Sequence, residues 1–311
     1  MDNRRKFFIH PGYPKTASTT LQKRLFSKHP DLCYLGKPLT GELLDVEIAI
    51  LNLDAEQFAQ ALPDLQRRLL SVVARYSAGD RNVLLSHEGF LRPTRYKGHD
   101  ILQTAQRIRQ VFCDPVKNEF DCHVLLTIRK QTDIIPSYFF DSVSRSPARL
   151  TKFIKTSLQA PVEGYLASLF YDAVVRHYAG LFGRERVKVL PFEQFITRRE
   201  AFIRELAGYL EIDYDRSIEL VGGGAFNIKQ RSGTGYRITA NEAMLDMVNK
   251  VRPDMEQLPR LLRILLKRIP LKHRTFSLSA AEQAEIQQLY AGSNKQLSDE
   301  FGLALDEYGY F

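Results

Sequence analysis

Phe7-Phe-Ile-His10-Pro-Gly12-Tyr-Pro-Lys15-Thr-Ala-Ser-Thr-Thr20 is the stretch on which the reading of this chain turns. Its apolar opening reads as the end of a strand, and Gly12 permits a tight turn. From Thr16 to Phe26 the residues follow an amphipathic helical pattern. A helix that begins directly after a strand presents unpaired backbone N–H groups and the positive end of its dipole, which suits a phosphate or a sulfate. Lys15 adds a full charge at that point, and Ser18, Thr19 and Thr20 add hydroxyl donors. The bland alternative is a helix start capped by Thr16 or Ser18 with Lys15 merely exposed, and this stretch alone leaves both open.

Working outward, apolar runs rich in β-formers occur at 6–10, 82–86, 123–128 and 187–192. Each is followed by a segment of helical periodicity. Strands alternating with helices imply a mostly parallel sheet covered on both faces, a three-layer α/β/α arrangement. Ligands of such sheets sit beyond the carboxyl ends of the strands, so the residues just after each strand are the ones to inspect. The whole chain, 1–311, reads as a single domain. Residues 40–78 form a helical insertion between the first two runs. Residues 213–235 are loop-like, and 236–311 form a helical C-terminal region or lid that includes a long helix from 279 to about 301.

Composition sets broad bounds. The 311 residues are 44% hydrophobic and 26% charged, ordinary for a folded protein, with a formal net charge of +8. The basic balance favours anionic partners without choosing among them. Three cysteines (Cys33, Cys113, Cys122) without tight spacing argue against a disulfide framework or a zinc site and suit small core residues. The N-terminus enters a strand almost at once, and no window approaches a membrane span. The expected setting is therefore a cytoplasm.

The loop after 6–10 is not a Walker A sequence, because Lys15 follows Gly12 by three residues and no glycine precedes it. No strand ends in a magnesium-binding aspartate: 123–128 runs into Arg129, and 82–86 runs into His87-Glu88. A P-loop-like kinase using ATP loses support on that ground. A non-enzymatic nucleic-acid module would interleave aromatic and cationic residues on one surface, and no such cluster appears, so no nucleic acid is expected. Arg129 at a strand end, with Ser137 on the helix that follows, offers a guanidinium fork and a hydroxyl for a phosphate monoester.

Two motifs in this order carry a resemblance. His10-x-Gly12-x-x-Lys15-Thr-x-x-Thr-Thr20 resembles the 5′-phosphosulfate loop of sulfotransferases that use PAPS (3′-phosphoadenosine 5′-phosphosulfate), particularly bacterial ones. Arg129, seven residues, then Ser137-Tyr138 resembles the 3′-phosphate signature of the same family. Where the family often carries Gly-Thr, this chain carries Ala17-Ser18, keeping a small residue and a hydroxyl. Val187-Lys-Val-Leu-Pro-Phe-Glu193 and the ending Leu305-Asp-Glu-Tyr-Gly-Tyr310 extend the likeness over nearly the whole chain.

The resemblance implies a P-loop NTPase-like fold and transfer of the sulfuryl group of PAPS to a hydroxyl, or less readily an amine, with adenosine 3′,5′-bisphosphate (PAP) released and no metal required. The acceptor would be a carbohydrate or a small metabolite. Gly12, Lys15, Thr16, Ala17, Ser18, Thr19, Thr20, Arg129 and Ser137 would hold the donor, and the basic segment around Lys229 and Arg231 would cover it. Lys15 would stabilise the bridging oxygen. The base would be Glu88 or His87, with Glu88 favoured. Adjacent strand residues point to opposite faces, so only one of the two should face the site. His10 and Glu88 would lie against the substrate. The basic stretch 260–274 reads first as a surface helix packed on the core, ahead of a glycan groove or a membrane contact.

Overall fold

The computed structural model describes residues 4–37, 39, 41–76, 79–91, 100–142, 147–159, 164–222, 236–237, 275–276 and 278–311. They fall into two compact units: 1–130, 164–224 and 290–311 make the first, and 131–163 with 225–289 make the second.

The first unit is built on five parallel strands, in the order β2-β3-β1-β4-β5. These are β1 (Arg5–His10), β2 (Leu32–Tyr34), β3 (Asn82–Ser86), β4 (Phe120–Ile128) and β5 (Val187–Pro191). The central strand β1 is hydrogen-bonded on both sides, Phe7 facing Val83 of β3 and Cys122 of β4. Phe7, Phe8, Ile9 and His10 are all fully buried. This unbroken run, with no alternation of polar and apolar residues, is what a strand covered on both faces requires.

A short helix α1 (Ser18–Thr20) follows β1 and widens into π-helical turns over Leu21–Phe26. Between β2 and β3 lie α2 (Glu42–Asn52) and the long α3 (Ala55–Tyr76). α4 (Ile101–Ile108) precedes β4 and is capped by Asp100, whose carboxylate accepts from the Leu102 N–H at 2.8 Å. Right-handed crossovers place α1 on one face of the sheet and the later crossover helices on the other. The packing agrees: α2 touches α3 and α4, whereas the turns Leu21–Phe26 meet a helix from beyond β5.

The second unit contains α5 (Gln131–Ser142) and α6 (Pro147–Gln159), with Phe139 and Phe153 in ring contact at 5.2 Å. Returning to the first unit, α7 (Gly164–Ala167) and α8 (Tyr171–Phe182) lead to β5, followed by α9 (Phe192–Thr197), α10 (Arg199–Leu210) and α11 (Tyr214–Gly222). Near the C-terminus, α12 (Ala280–Phe301) starts with a capping box: Ser279 Oγ accepts from the Glu282 N–H, and Glu282 reaches back to the Ser279 N–H at 2.9 Å.

The architecture is the parallel, two-faced sheet expected from the sequence. Three details differ. The edge strand β2 was not anticipated, because three residues show no periodicity, and the helices of 40–78 therefore lie between β2 and β3. Part of the expected loop 213–235 is the helix α11, because Asp213 serves as its cap, accepting from the Arg216 N–H at 2.6 Å. The expected all-helical stretch 236–311 contains a two-residue antiparallel pair, β6 (Tyr236–Arg237) with β7 (Thr275–Phe276). The basic stretch 260–274 lies outside the described residues.

Phe8 sits at the middle of the sheet between His123 and Tyr209, its ring 5.5 and 5.4 Å from theirs. Phe8→Ala should lower the unfolding free energy by about 3–5 kcal/mol in urea denaturation. The exposed Leu70 on α3, changed to Ala, should stay within about 0.5 kcal/mol of the parent.

Candidate functional site

The residues following β1 form a tight loop over the carboxyl end of the sheet. Gly12, Lys15 and Ala17 all have positive φ, at 50°, 72° and 65°. For the two non-glycine residues this conformation costs about 1–2 kcal/mol each, so the surroundings must enforce it. Gly12 is close-packed: a Cβ there would meet His10 Nε2 at 3.0 Å and Ser18 Oγ at 3.3 Å. Thr20 and Leu21 donate their N–H groups to the Ala17 carbonyl, closing the first helical turn. The N–H groups of Thr16 to Thr19 precede that ladder and are available to an anion.

A chain of hydrogen bonds beneath the loop explains what enforces it. Thr16 Oγ1 donates to the Tyr13 carbonyl at 2.6 Å, so toward Thr127 Oγ1, 2.7 Å away, it acts as acceptor. With its proton on Thr16, Thr127 must accept at 3.2 Å from His10 Nε2. The imidazole is therefore protonated on Nε2, and its Nδ1 accepts from the Ser86 hydroxyl at 2.8 Å. Ser86 Oγ in turn accepts from Gln22 Nε2 at 3.0 Å. Every proton in this chain points one way. Burial pushes the His10 pKa down from 6.5 to about 4, which keeps the ring neutral.

Arg129 ends β4 and reaches back to the loop, donating from Nη1 to the Lys15 carbonyl at 3.0 Å. Its guanidinium lies over the Phe192 ring at 4.8 Å, and Tyr171 donates its hydroxyl to the Arg129 carbonyl at 2.6 Å. Only 8% of the residue is exposed, yet Nε has no hydrogen-bond partner among the described residues. A buried guanidinium with an unused donor, joined to a loop with unused N–H groups, is suited to an anion.

At the end of β3 the chain turns so that His87 and Glu88 diverge. His87 is buried, with Nδ1 accepting from the Gly89 N–H at 2.9 Å and Nε2 3.2 Å from the Glu47 carboxylate of α2. Both ring nitrogens are thus engaged. Glu88 opens a 3-10 turn (Glu88–Leu91) and pairs with Lys37 at 2.7 Å, both groups being partly exposed. Lys37 follows β2 and is held by its own N–H to the Ser86 carbonyl at 3.4 Å.

The structure therefore gathers His10, Gly12, Thr16 and Ser18 into one network, joins Lys15 to Arg129, and separates His87 from Glu88. Lys15 and Ala17 are half-buried, Ser18 is buried, Thr19 is exposed and Thr20 intermediate. The Thr16 and Ser18 hydroxyls turn inward to the loop, where Ser18 Oγ lies 3.3 Å from Thr16 Oγ1. His10, expected against the substrate, is wholly buried under the loop. Ser137 belongs to the second unit, half-buried on α5. Lys229 and Arg231 lie outside the described residues. Sequence reasoning missed Lys37 and Glu47; recognising β2 would have flagged Lys37 through the strand-end rule. Among the described residues no group of three or more His, Cys, Asp or Glu is arranged to hold a metal ion, and no helix is long and apolar enough to cross a membrane.

A scan against protein-family models finds no match, and a search of curated proteins finds none either. Among solved structures the chain is similar to a sulfotransferase from Alicyclobacillus acidocaldarius, at 16% identity over 98% of both chains with a TM-score of 0.54. It also matches a mouse sulfotransferase complexed with PAP, at 13% identity over 98% of this chain and 88% of that one, with a TM-score of 0.46. The first of these shows that the fold is the sulfotransferase fold, a three-layer α/β/α sandwich.

The neutral His10 has a consequence in acid. Its unfolded form takes up a proton near pH 6.5, whereas the buried form resists until about pH 4. Stability contributed by this group therefore falls as the pH drops through that window, by on the order of 3 kcal/mol in full. Urea unfolding of His10→Gln at pH 7 and 4.5 should show a smaller acid loss than the parent, and an equal loss would contradict the assignment.

Proposed function

We propose that this chain is a PAPS-dependent sulfotransferase acting on a hydroxyl of a carbohydrate or small-metabolite acceptor. The observation that carries the reading is Arg129, nine-tenths buried, with Nε unpartnered among the described residues, bonded to the carbonyl of Lys15 in the loop after β1. The loop and Arg129 follow the adjacent strands β1 and β4, which supports a donor with phosphate groups at both its 5′ and 3′ ends. The sulfotransferase fold is in keeping with it.

In this reading the N–H groups of Thr16 to Thr19 receive the 5′-phosphosulfate, and Lys15 neutralises the charge that builds on the bridging oxygen as the S–O bond breaks. Arg129 receives the 3′-phosphate. Glu88 is the base that removes the acceptor proton, since His87 has both nitrogens committed. Lys37 holds the Glu88 carboxylate in place. His10 acts from beneath, by fixing Thr16 and hence the loop. The transferred group passes as a neutral sulfuryl unit from the phosphate oxygen to the acceptor oxygen, and the departing PAP keeps the electron pair.

Calorimetric titration should show PAP binding without magnesium and at least about tenfold tighter than ATP with magnesium; a preference for ATP would overturn the donor assignment. Arg129→Ala should weaken PAP about ten- to a hundredfold. With radiolabelled PAPS and a panel of polyol and glycan acceptors, Lys15→Ala should lose at least about a hundredfold in turnover. Glu88→Gln should lose a comparable factor and bind PAP as the parent does. Unimpaired turnover in Glu88→Gln would return the role of base to His87.

A further inference from the structure

Tyr308-Gly309-Tyr310, used so far only as part of the resemblance, ends against the peptide that carries Arg129. Tyr310 is buried and donates its hydroxyl to Glu193 Oε2 at 2.7 Å. The other oxygen of that carboxylate accepts from the Lys130 N–H at 3.0 Å. Lys130 is the residue directly after Arg129, so Glu193 fixes the peptide unit between them. From the other side, the Tyr171 hydroxyl holds the carbonyl of that same peptide unit, the Arg129 carbonyl, at 2.6 Å. Both polar groups of one peptide bond are therefore taken by side chains, and the one that takes the N–H, Glu193, is itself held by Tyr310.

Tyr310 is itself firmly seated. Its N–H donates to the Leu305 carbonyl at 3.2 Å, and its carbonyl accepts from Asn294 Nδ2 of α12 at 2.9 Å. Gly309, at φ 70°, makes the turn that brings it back. Neighbouring Phe311 is exposed. Glu193 sits close to the Arg129 guanidinium, and burial raises its carboxyl above the ordinary value while the Tyr310 hydrogen bond opposes that rise. Held at both its N–H and its carbonyl, the Arg129–Lys130 peptide fixes where the chain leaves β4, and with it the Cα from which the guanidinium reaches Phe192 and the Lys15 carbonyl.

We infer that Tyr310 and Tyr171 are positioning residues for the nucleotide site, holding Arg129 at the angle at which it meets a 3′-phosphate. This rests on the donor assignment above. They touch no substrate atom; they act through the Arg129 backbone, Tyr310 by way of Glu193. The C-terminal segment is thereby part of the recognition of a 3′-phosphorylated nucleotide.

The test compares two probes, PAP and 5′-AMP, which lacks the 3′-phosphate. Tyr310→Phe and, independently, Tyr171→Phe remove one hydroxyl each. Calorimetry should show PAP affinity reduced about tenfold in each, as for the loss of one buried hydrogen bond that orients a charged group. The weaker affinity for 5′-AMP should stay unchanged. Phe311→Ala should change neither. Equal loss of both probes would mean a merely structural role, and unchanged PAP affinity in both tyrosine variants would remove the role altogether. Should Tyr310→Phe not fold, Tyr171→Phe alone reads the same difference. A parent chain that fails to distinguish PAP from 5′-AMP overturns the donor assignment, and this inference falls with it.

Discussion

Thr127 Oγ1 stands 2.7 Å from Thr16 Oγ1 and 3.2 Å from His10 Nε2, and the polar chain it completes joins the ends of three strands to the loop above them. Ser86 and His10 end β3 and β1, Thr127 is the last residue but one of β4, and each is fully buried. Such groups are costly to bury unless every donor meets an acceptor, so their mutual pairing fixes register as well as contact. His10 faces Ser86 directly across β1 and β3. Apolar residues could fill the same volume, but they could not give direction to the hydroxyl of Thr16.

That direction is what holds the loop in an unfavourable shape. Lys15 and Ala17 both adopt the left-handed conformation, on either side of the anchored Thr16. Ala17 is the position at which the resembling family often has glycine, the residue that reaches this region without strain. Here a Cβ is tolerated because Thr16 is tied from below and the Lys15 carbonyl is tied by Arg129. The strain and the ties together leave the N–H groups of Thr16 to Thr19 fixed before any ligand arrives. An anion then meets dipoles that need little reorganisation, and this is where such sites gain most of their strength.

The fold was legible because its strongest signal is local: an unbroken apolar run, a glycine turn, then a helical pattern, repeated with variations along the chain. The strand-end rule also drew attention to Lys15 and Arg129, which the structure joins through one hydrogen bond. What stayed hidden depended on distant partners. β2 contributes only Leu32, Cys33 and Tyr34, too short for any period to show, and Lys37 was lost with it. Asp213 beside Gly222-Gly-Gly224 reads as loop, although the same aspartate caps α11. A histidine before a glycine turn more often packs than reacts, yet His10 was also expected against the substrate, and the hydroxyls of β3 and β4 that engage both its nitrogens are distant in sequence.

The pair His87-Glu88 shows how an inserted helix reaches the turn that carries the proposed base. The turn after β3 sends His87 inward and Glu88 toward Lys37, and two features hold it so. Glu47 of α2 takes the His87 Nε2–H, and Gly89 lies so close that an added Cβ would fall 2.2 Å from His87 Cε1 and 3.0 Å from the Glu47 carboxylate. The imidazole is thus a wedge between an insertion helix and the turn that carries Glu88. α2 and α3 connect an edge strand to the core and could have been indifferent to the site. Through Glu47 they are not: any shift of α2 moves His87, and with it the backbone from which Glu88 projects. The segment read from sequence as a helical insertion between strands thus buttresses the turn that carries the proposed base, as Tyr310 buttresses the peptide that carries the proposed phosphate ligand.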